Sequence, residues 1–259
     1  MKKAGLGKMN KAINDIIVMS GRCLRMTFRN AETIVGNTIT PLMFVFLFIY
    51  VFGSGATDMQ AFINAQVPSV FIAVLCTSAA YSAFSINGDM KSGIIDRFRS
   101  MPLFGASVLA GHVIASIVRC SMGIVIAIAV AFAVGFRPQA GATEWILAIG
   151  IMLLASLVMI WLFIFIGLIA DSAEGTSSYT MPIQFLPFLS GGFADPAQLV
   201  LPLRMFFAHQ PFTPIIEAVR GLTMGVINQN DIILAVIWCI VLILIFYVLS
   251  VRIYRRKTG

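Results

Sequence analysis

The stretch NGDMKSGIIDRFRSMP, Asn87–Pro102, decides how the rest of the chain is read. Asp89, Lys91, Asp96, Arg97 and Arg99 crowd into it, while the run just before it, Val67 to Ile86, has no charged residue. A charged side chain costs about 2.5–3.5 kcal/mol at the centre of a membrane helix. The stretch is therefore expected in water or among headgroups, joining two membrane spans.

Composition agrees. The 259 residues are 59% hydrophobic and 11% charged, with mean hydropathy +0.94. Soluble domains carry about 25% charged residues, so the chain reads as a polytopic, all-α membrane protein. The net charge of +7 is concentrated at the two ends and in the charged stretch. That pattern suits topology determinants facing anionic lipid and not a nucleic-acid surface. Cys23, Cys76, Cys120 and Cys239 stand singly, without metal or redox spacing, and read as small buried apolar residues.

Six transmembrane helices are expected, over residues 34–52, 67–86, 107–136, 145–170, 179–193 and 232–251, the fifth short and carrying Pro182 and Pro187. Residues 1–33 form a polar, basic N-terminal segment without the apolar core and cleavage site of a signal peptide. Lys11, Asp15, Arg22, Arg25 and Arg29 share one helical face there, and Ile13, Ile16, Ile17, Leu24 and Phe28 lie largely on the others. That is the pattern of an interfacial helix. The membrane domain runs over 34–251, with a connecting loop at 87–106 and an outer re-entrant region at 194–231, and residues 252–259 form a tail.

Counting Lys and Arg orients the chain. The N-terminal segment supplies seven, the charged stretch three and the tail four, against Arg137, Arg204 and Arg220 on the other side. The positive-inside rule places both termini and the charged stretch in the cytoplasm.

Residues 194–231 are apolar, yet Pro196, Pro202, Pro211 and Pro214 break them before a span can form. Short re-entrant helices between spans five and six meet the rule that backbone at membrane depth must be covered. Pro214 suits the first turn of the second one, with Thr213 as its N-cap. Glu217 and Arg220, three apart, are spaced to pair.

No phosphate-binding loop, HExxH, GxSxG or cluster of metal ligands occurs. The spans are nearly free of acids, which argues against a proton- or sodium-coupled carrier. Catalysis within this chain is not expected, and no cofactor is assigned to it. Arg119, with His112 seven residues earlier on the same face, leaves two readings open. Arg119 lines a substrate path, or it snorkels from a late-starting third span.

The charged stretch resembles the cytoplasmic signature of the type-2 ATP-binding-cassette (ABC) export permeases. That signature is an acidic/basic pair, a glycine, then an acidic-basic-hydrophobic-basic run ending in small-x-Pro. FLSGGFADP (188–196) and QPFTPIIEAVRGLTMG (210–225) resemble the segments that precede the family's last span. The chain is most similar to the daunorubicin-resistance type, departing at Ile94, where Thr is usual, and at Gln210, where Asn is usual.

The resemblance implies two permease copies, identical or related, working with two separate ABC ATPase subunits that hold ATP and Mg, in the bacterial plasma membrane. It implies that a coupling helix between spans two and three docks on the ATPase through Asp89, Lys91, Gly93, Ile94, Ile95, Asp96, Arg97, Phe98, Arg99 and Pro102. An outer gate would use Gln210, Pro211, Thr213, Pro214, Glu217, Arg220 and Gly225. A hydrophobic drug, a lipid or a lipid-linked glycan is the expected cargo. A self-contained carrier or channel, and a membrane assembly component that transports nothing, are the alternatives.

Overall fold

The computed structural model describes residues 2–93, 107–190 and 201–258, and all its regular structure there is helical. The elements are α1 (Lys2–Arg29), α2 (Ala31–Phe46), α3 (Met59–Lys91), α4 (Ser107–Val134), α5 (Ala142–Ile169), α6 (Ala173–Phe185), α7 (Leu201–His209), α8 (Phe212–Met224) and α9 (Gln229–Thr258). A π turn, Leu47–Val51, and a 3-10 turn, Phe52–Gly55, continue α2. Five segments among the described residues are long and apolar enough to cross a membrane: Thr33–Gly55, Met59–Lys91, Ser107–Val134, Ala142–Ile169 and Gln229–Lys257. The chain is an all-α membrane protein.

Within the described residues, which in this stretch stop at 190, the expected fifth span is shorter than a bilayer crossing. α6 ends at Phe185 and passes into a 3-10 turn, Leu186–Leu189. Pro187 lies within that turn and removes a backbone donor where the helix would continue.

α3 is the central helix. It is apolar all round, and from Val67 to Ala83 nearly every side chain is buried. α2, α4, α5, α6 and α8 all pack against it. Its start is fixed by Asp58, whose carboxylate accepts the Ala61 N–H at 3.0 Å. Its end is fixed by Gly93, in the left-handed conformation at φ +66°, a cost that glycine alone avoids. α5 crosses α3 at Gly167, where a side chain would collide with the Ala83 backbone. α9 leans on α5 and α8 and turns Ile233, Ile237, Ile240, Leu244 and Val248 outward, as a lipid-facing helix does.

α1 lies against α4 with Met19 and Cys23 buried, and Gly111 allows the close approach, its added Cβ coming within 3.0 Å of the Met19 backbone. Ile13, Ile17 and Phe28 remain exposed on the other side. Both ends of the bundle are tied across helices. At the end opposite Asp89, Gln60 donates to the Gly135 carbonyl at 2.9 Å, and the Gln139 N–H donates to the Thr223 carbonyl at 3.0 Å.

Candidate functional site

Three places hold the residues singled out from the sequence. The first is the α3–α4 end of the bundle. Asn87 and Asp89 do not begin a solvated loop, as expected, but are buried in the last two turns of α3. Asn87 replaces water for the end of α5, its amide donating to the carbonyls of Gly167 at 3.1 Å and Ala170 at 2.8 Å. Asn87-Gly88 looks like a helix breaker in sequence. Here the side-chain bonds to α5 hold the helix in place for another turn.

Asp89, 2% exposed, receives two hydrogen bonds from Arg22 of α1, at 2.7 and 2.9 Å, and one from His112 Nε2 of α4 at 3.1 Å. A carboxylate accepts, so Nε2 carries a proton, and the Ser85 hydroxyl meets Nδ1 at 3.2 Å. The bond to Asp89 pushes Arg22 further above its ordinary value. One acid thus joins α1, α3 and α4 just before residues 94–106. The ion pair spans 67 positions. The periodicity that put Arg22 on a basic face held no sign of its partner.

Lys91 is exposed at the helix end and Gly93 forms the terminating turn. Ile94, Ile95, Asp96, Arg97, Phe98, Arg99 and Pro102 lie outside the described residues.

The second place is a cavity of about 650 Å³ bounded by α1, α2, α3, α4 and α6. Arg119 is in its wall and is 4% exposed, so it does not snorkel to the surface of the chain. Its Nη2 donates to Ser116 at 2.8 Å, Nε to the Ser78 carbonyl at 3.3 Å and Nη1 to Thr27 at 3.4 Å. The Tyr81 ring centroid lies 5.7 Å from the guanidinium carbon. His112 shares the helix face but not the cavity; its ring is committed to Asp89 and Ser85.

The third place is the α6–α8 end. Two short helices, α7 and α8, occupy the described part of the proline-broken region. Glu217 and Arg220 do pair, at 2.6 Å, and Arg220 also donates to the Ala65 carbonyl at 3.0 Å and to Ser69 at 3.2 Å on α3. Burial pushes the Glu217 carboxyl up, and Arg220 pulls it back. Thr213 is not the N-cap. Helix α8 starts two residues earlier than that cap would set it, at Phe212 after Pro211, so the Thr213 hydroxyl reaches back to the Phe207 carbonyl of α7. Pro214 is buried in the first turn, Gln210 donates to the Leu189 carbonyl at 2.7 Å, and Gly225 ends α8 at φ +73°.

Among the described residues no group of His, Cys, Asp or Glu is placed to hold a metal ion, and all four cysteines are free and buried. The family model described as "ABC-2 type transporter" matches residues 14–224. The chain belongs to the ABC-2 type transporter family. Among curated relatives, the daunorubicin resistance ABC transporter permease protein of Streptomyces coeruleorubidus is 24% identical over 228 residues, covering 87% of this chain and 81% of that protein. A probable doxorubicin resistance ABC transporter permease protein of Mycobacterium tuberculosis is 22% identical over 230 residues, covering 85% and 81%. In this ABC-2 chain the match runs from the middle of α1 to the end of α8, and takes in the three places described above except Gly225.

Proposed function

We propose that the chain is the membrane subunit of an ATP-driven exporter, paired with a second permease copy and powered by a separate ABC ATPase that holds ATP and Mg. It sits in the bacterial plasma membrane with both termini cytoplasmic, and carries a hydrophobic drug, lipid or lipid-linked glycan outward. Residues 94–106 are the handle that the ATPase grips, and Asn87 and Asp89 are its buried attachment. The apolar Ile94, Ile95 and Phe98 dock, while Asp96, Arg97 and Arg99 fix register at the rim.

The observation that supports this reading most is the connection behind the handle. Asp89 binds α1 and α4 at once, and Asn87 binds the end of α5. A push on 94–106 is therefore carried to four helices as a rigid-body movement instead of being lost in a loose loop. The exporter reading also draws support from the drug-resistance permeases among its relatives.

Mild-detergent purification tests the proposal. An ATPase subunit is expected to co-purify and to be lost on the charge reversals Asp96→Lys and Arg97→Glu. Recovery of the chain alone, with substrate flux that needs no nucleotide, would instead establish a self-contained carrier. Unchanged efflux after both reversals would leave an assembly component.

A further inference from the structure

Arg119 is a cation whose bonds all go to neutral groups. Of the five N–H donors of a guanidinium, three are engaged, by Ser78, Ser116 and Thr27. Among the described residues no acidic side chain pairs with it; the ion pairs there belong to Arg22, His112 and Arg220. A buried charge is tolerated when a counter-charge meets it. The remaining donors belong to a side chain in the wall of the 650 Å³ cavity, a volume within the range of small-molecule pockets.

The rest of the wall narrows the chemistry. Hydroxyls and amides of Thr33, Thr77, Tyr81, Ser85 and Gln184 surround the space, with Met26, Ala80 and Phe84 as its apolar part. Among the described residues lining it, Arg119 is the one that is charged. The cavity also adjoins an open groove of about 860 Å³ along α1, lined by Arg22, Arg25 and Arg29; Met26 and Asn30 border both. Cationic side chains therefore stand at the approach and at the bottom. An amine-bearing molecule is repelled along this route, and a planar fork of N–H donors suits two oxygens of one phosphate or carboxylate.

We infer that the Arg119 cavity binds an amphiphile whose polar head is a phosphate or carboxylate, entering past Arg25 and Arg29 and seating its acid on the guanidinium. The inference rests on the exporter reading only for what happens next to the bound molecule; binding itself needs neither ATPase nor nucleotide.

The test uses the full chain purified in an uncharged maltoside detergent, with oleoyl lysophosphatidic acid, oleoyl lysophosphatidylcholine and oleylamine as probes and native mass spectrometry as readout. The phosphate monoester is expected to bind about tenfold or more tighter than the zwitterion, and the amine weakest. Arg119→Gln brings phosphate and zwitterion to within about twofold, and Arg119→Lys keeps part of the preference. Equal binding of the three probes by the unaltered chain overturns the inference, whether or not Arg119→Gln folds. So does a preference that survives in folded Arg119→Gln but vanishes in Arg25→Gln/Arg29→Gln, which would be surface attraction. Displacement of the phosphate probe by phosphatidylglycerol identifies a resident membrane lipid as the occupant. Failure to displace identifies a separate amphiphile, and either result upholds recognition of the anionic head. Loss of ATPase co-purification leaves all these outcomes untouched, so the two proposals fail separately.

Discussion

Removing Arg22 should damage the protein more than removing Asp89, and removing both should damage it less than removing Arg22 alone. The reason is the unequal burial of the pair: the side chain of Arg22 is 24% exposed and that of Asp89 3%. Arg22→Gln strands a buried carboxylate with His112 as its remaining donor among the described residues, a loss of about 3–5 kcal/mol. Asp89→Asn leaves Arg22 able to turn toward water, and the amide oxygen still accepts one bond, so the cost is about 1–2 kcal/mol. In Arg22→Gln/Asp89→Asn no net charge is buried and the two amides can bond to each other, leaving a loss of about 1–2 kcal/mol. The coupling energy is then about 4 kcal/mol, of the size expected for charges in contact at an effective dielectric near 20. Unfolding of the four proteins by graded SDS in mixed micelles measures it. A double variant whose loss equals the sum of the singles, or an Arg22→Gln protein no less stable than Asp89→Asn, would refute the claim that Asp89 is a buried charge held by Arg22.

Other consequences follow from single contacts. Asn87→Ala leaves the carbonyls of Gly167 and Ala170 without their side-chain donor and is expected to lower stability by about 2 kcal/mol in the same assay. Gly93→Ala places a Cβ on a backbone at φ +66° with no atom of the described residues within 4 Å to meet it, so the expected cost is that of the backbone, about 1 kcal/mol. A much larger loss would mean that the turn is crowded. Arg220→Gln removes bonds to Glu217, Ala65 and Ser69 and should cost about 2–3 kcal/mol, against about 1 or less for Glu217→Gln. Burial raises the Glu217 carboxyl in the folded state, so its contribution is fully present below the unfolded carboxyl's range and is lost as pH rises through the folded value. Glu217→Gln should therefore gain on the unaltered protein as pH rises through that window, narrowing its deficit, and a gap that widens instead would reverse the sign.

Apolar run length, charge placement and the proline-broken region are local properties of the chain, and each is legible before any fold is known. They match five of the six expected spans to long apolar helices, and find the two prolines that shorten the fifth segment as far as residue 190 and the two short helices before α9. The i,i+3 spacing of Glu217 and Arg220 is legible for the same reason: one turn of helix brings them together whatever surrounds it.

Contacts across the bundle are another matter. Where α3 ends could not be read from Asn87-Gly88, because the partners that keep Asn87 inside the helix are carbonyls 80 and 83 residues further on. His112 and Arg119 share a helical face, yet Asp89 takes one into an ion-pair cluster while the other stands in the wall of a cavity. Helical periodicity tells which residues share a face. What that face meets depends on how helices distant in sequence cross, at Gly111 on Met19 and at Gly167 on Ala83, and those crossings are what put Asn87 and Asp89, at the start of the charged stretch Asn87–Pro102, inside the bundle instead of in a solvated loop.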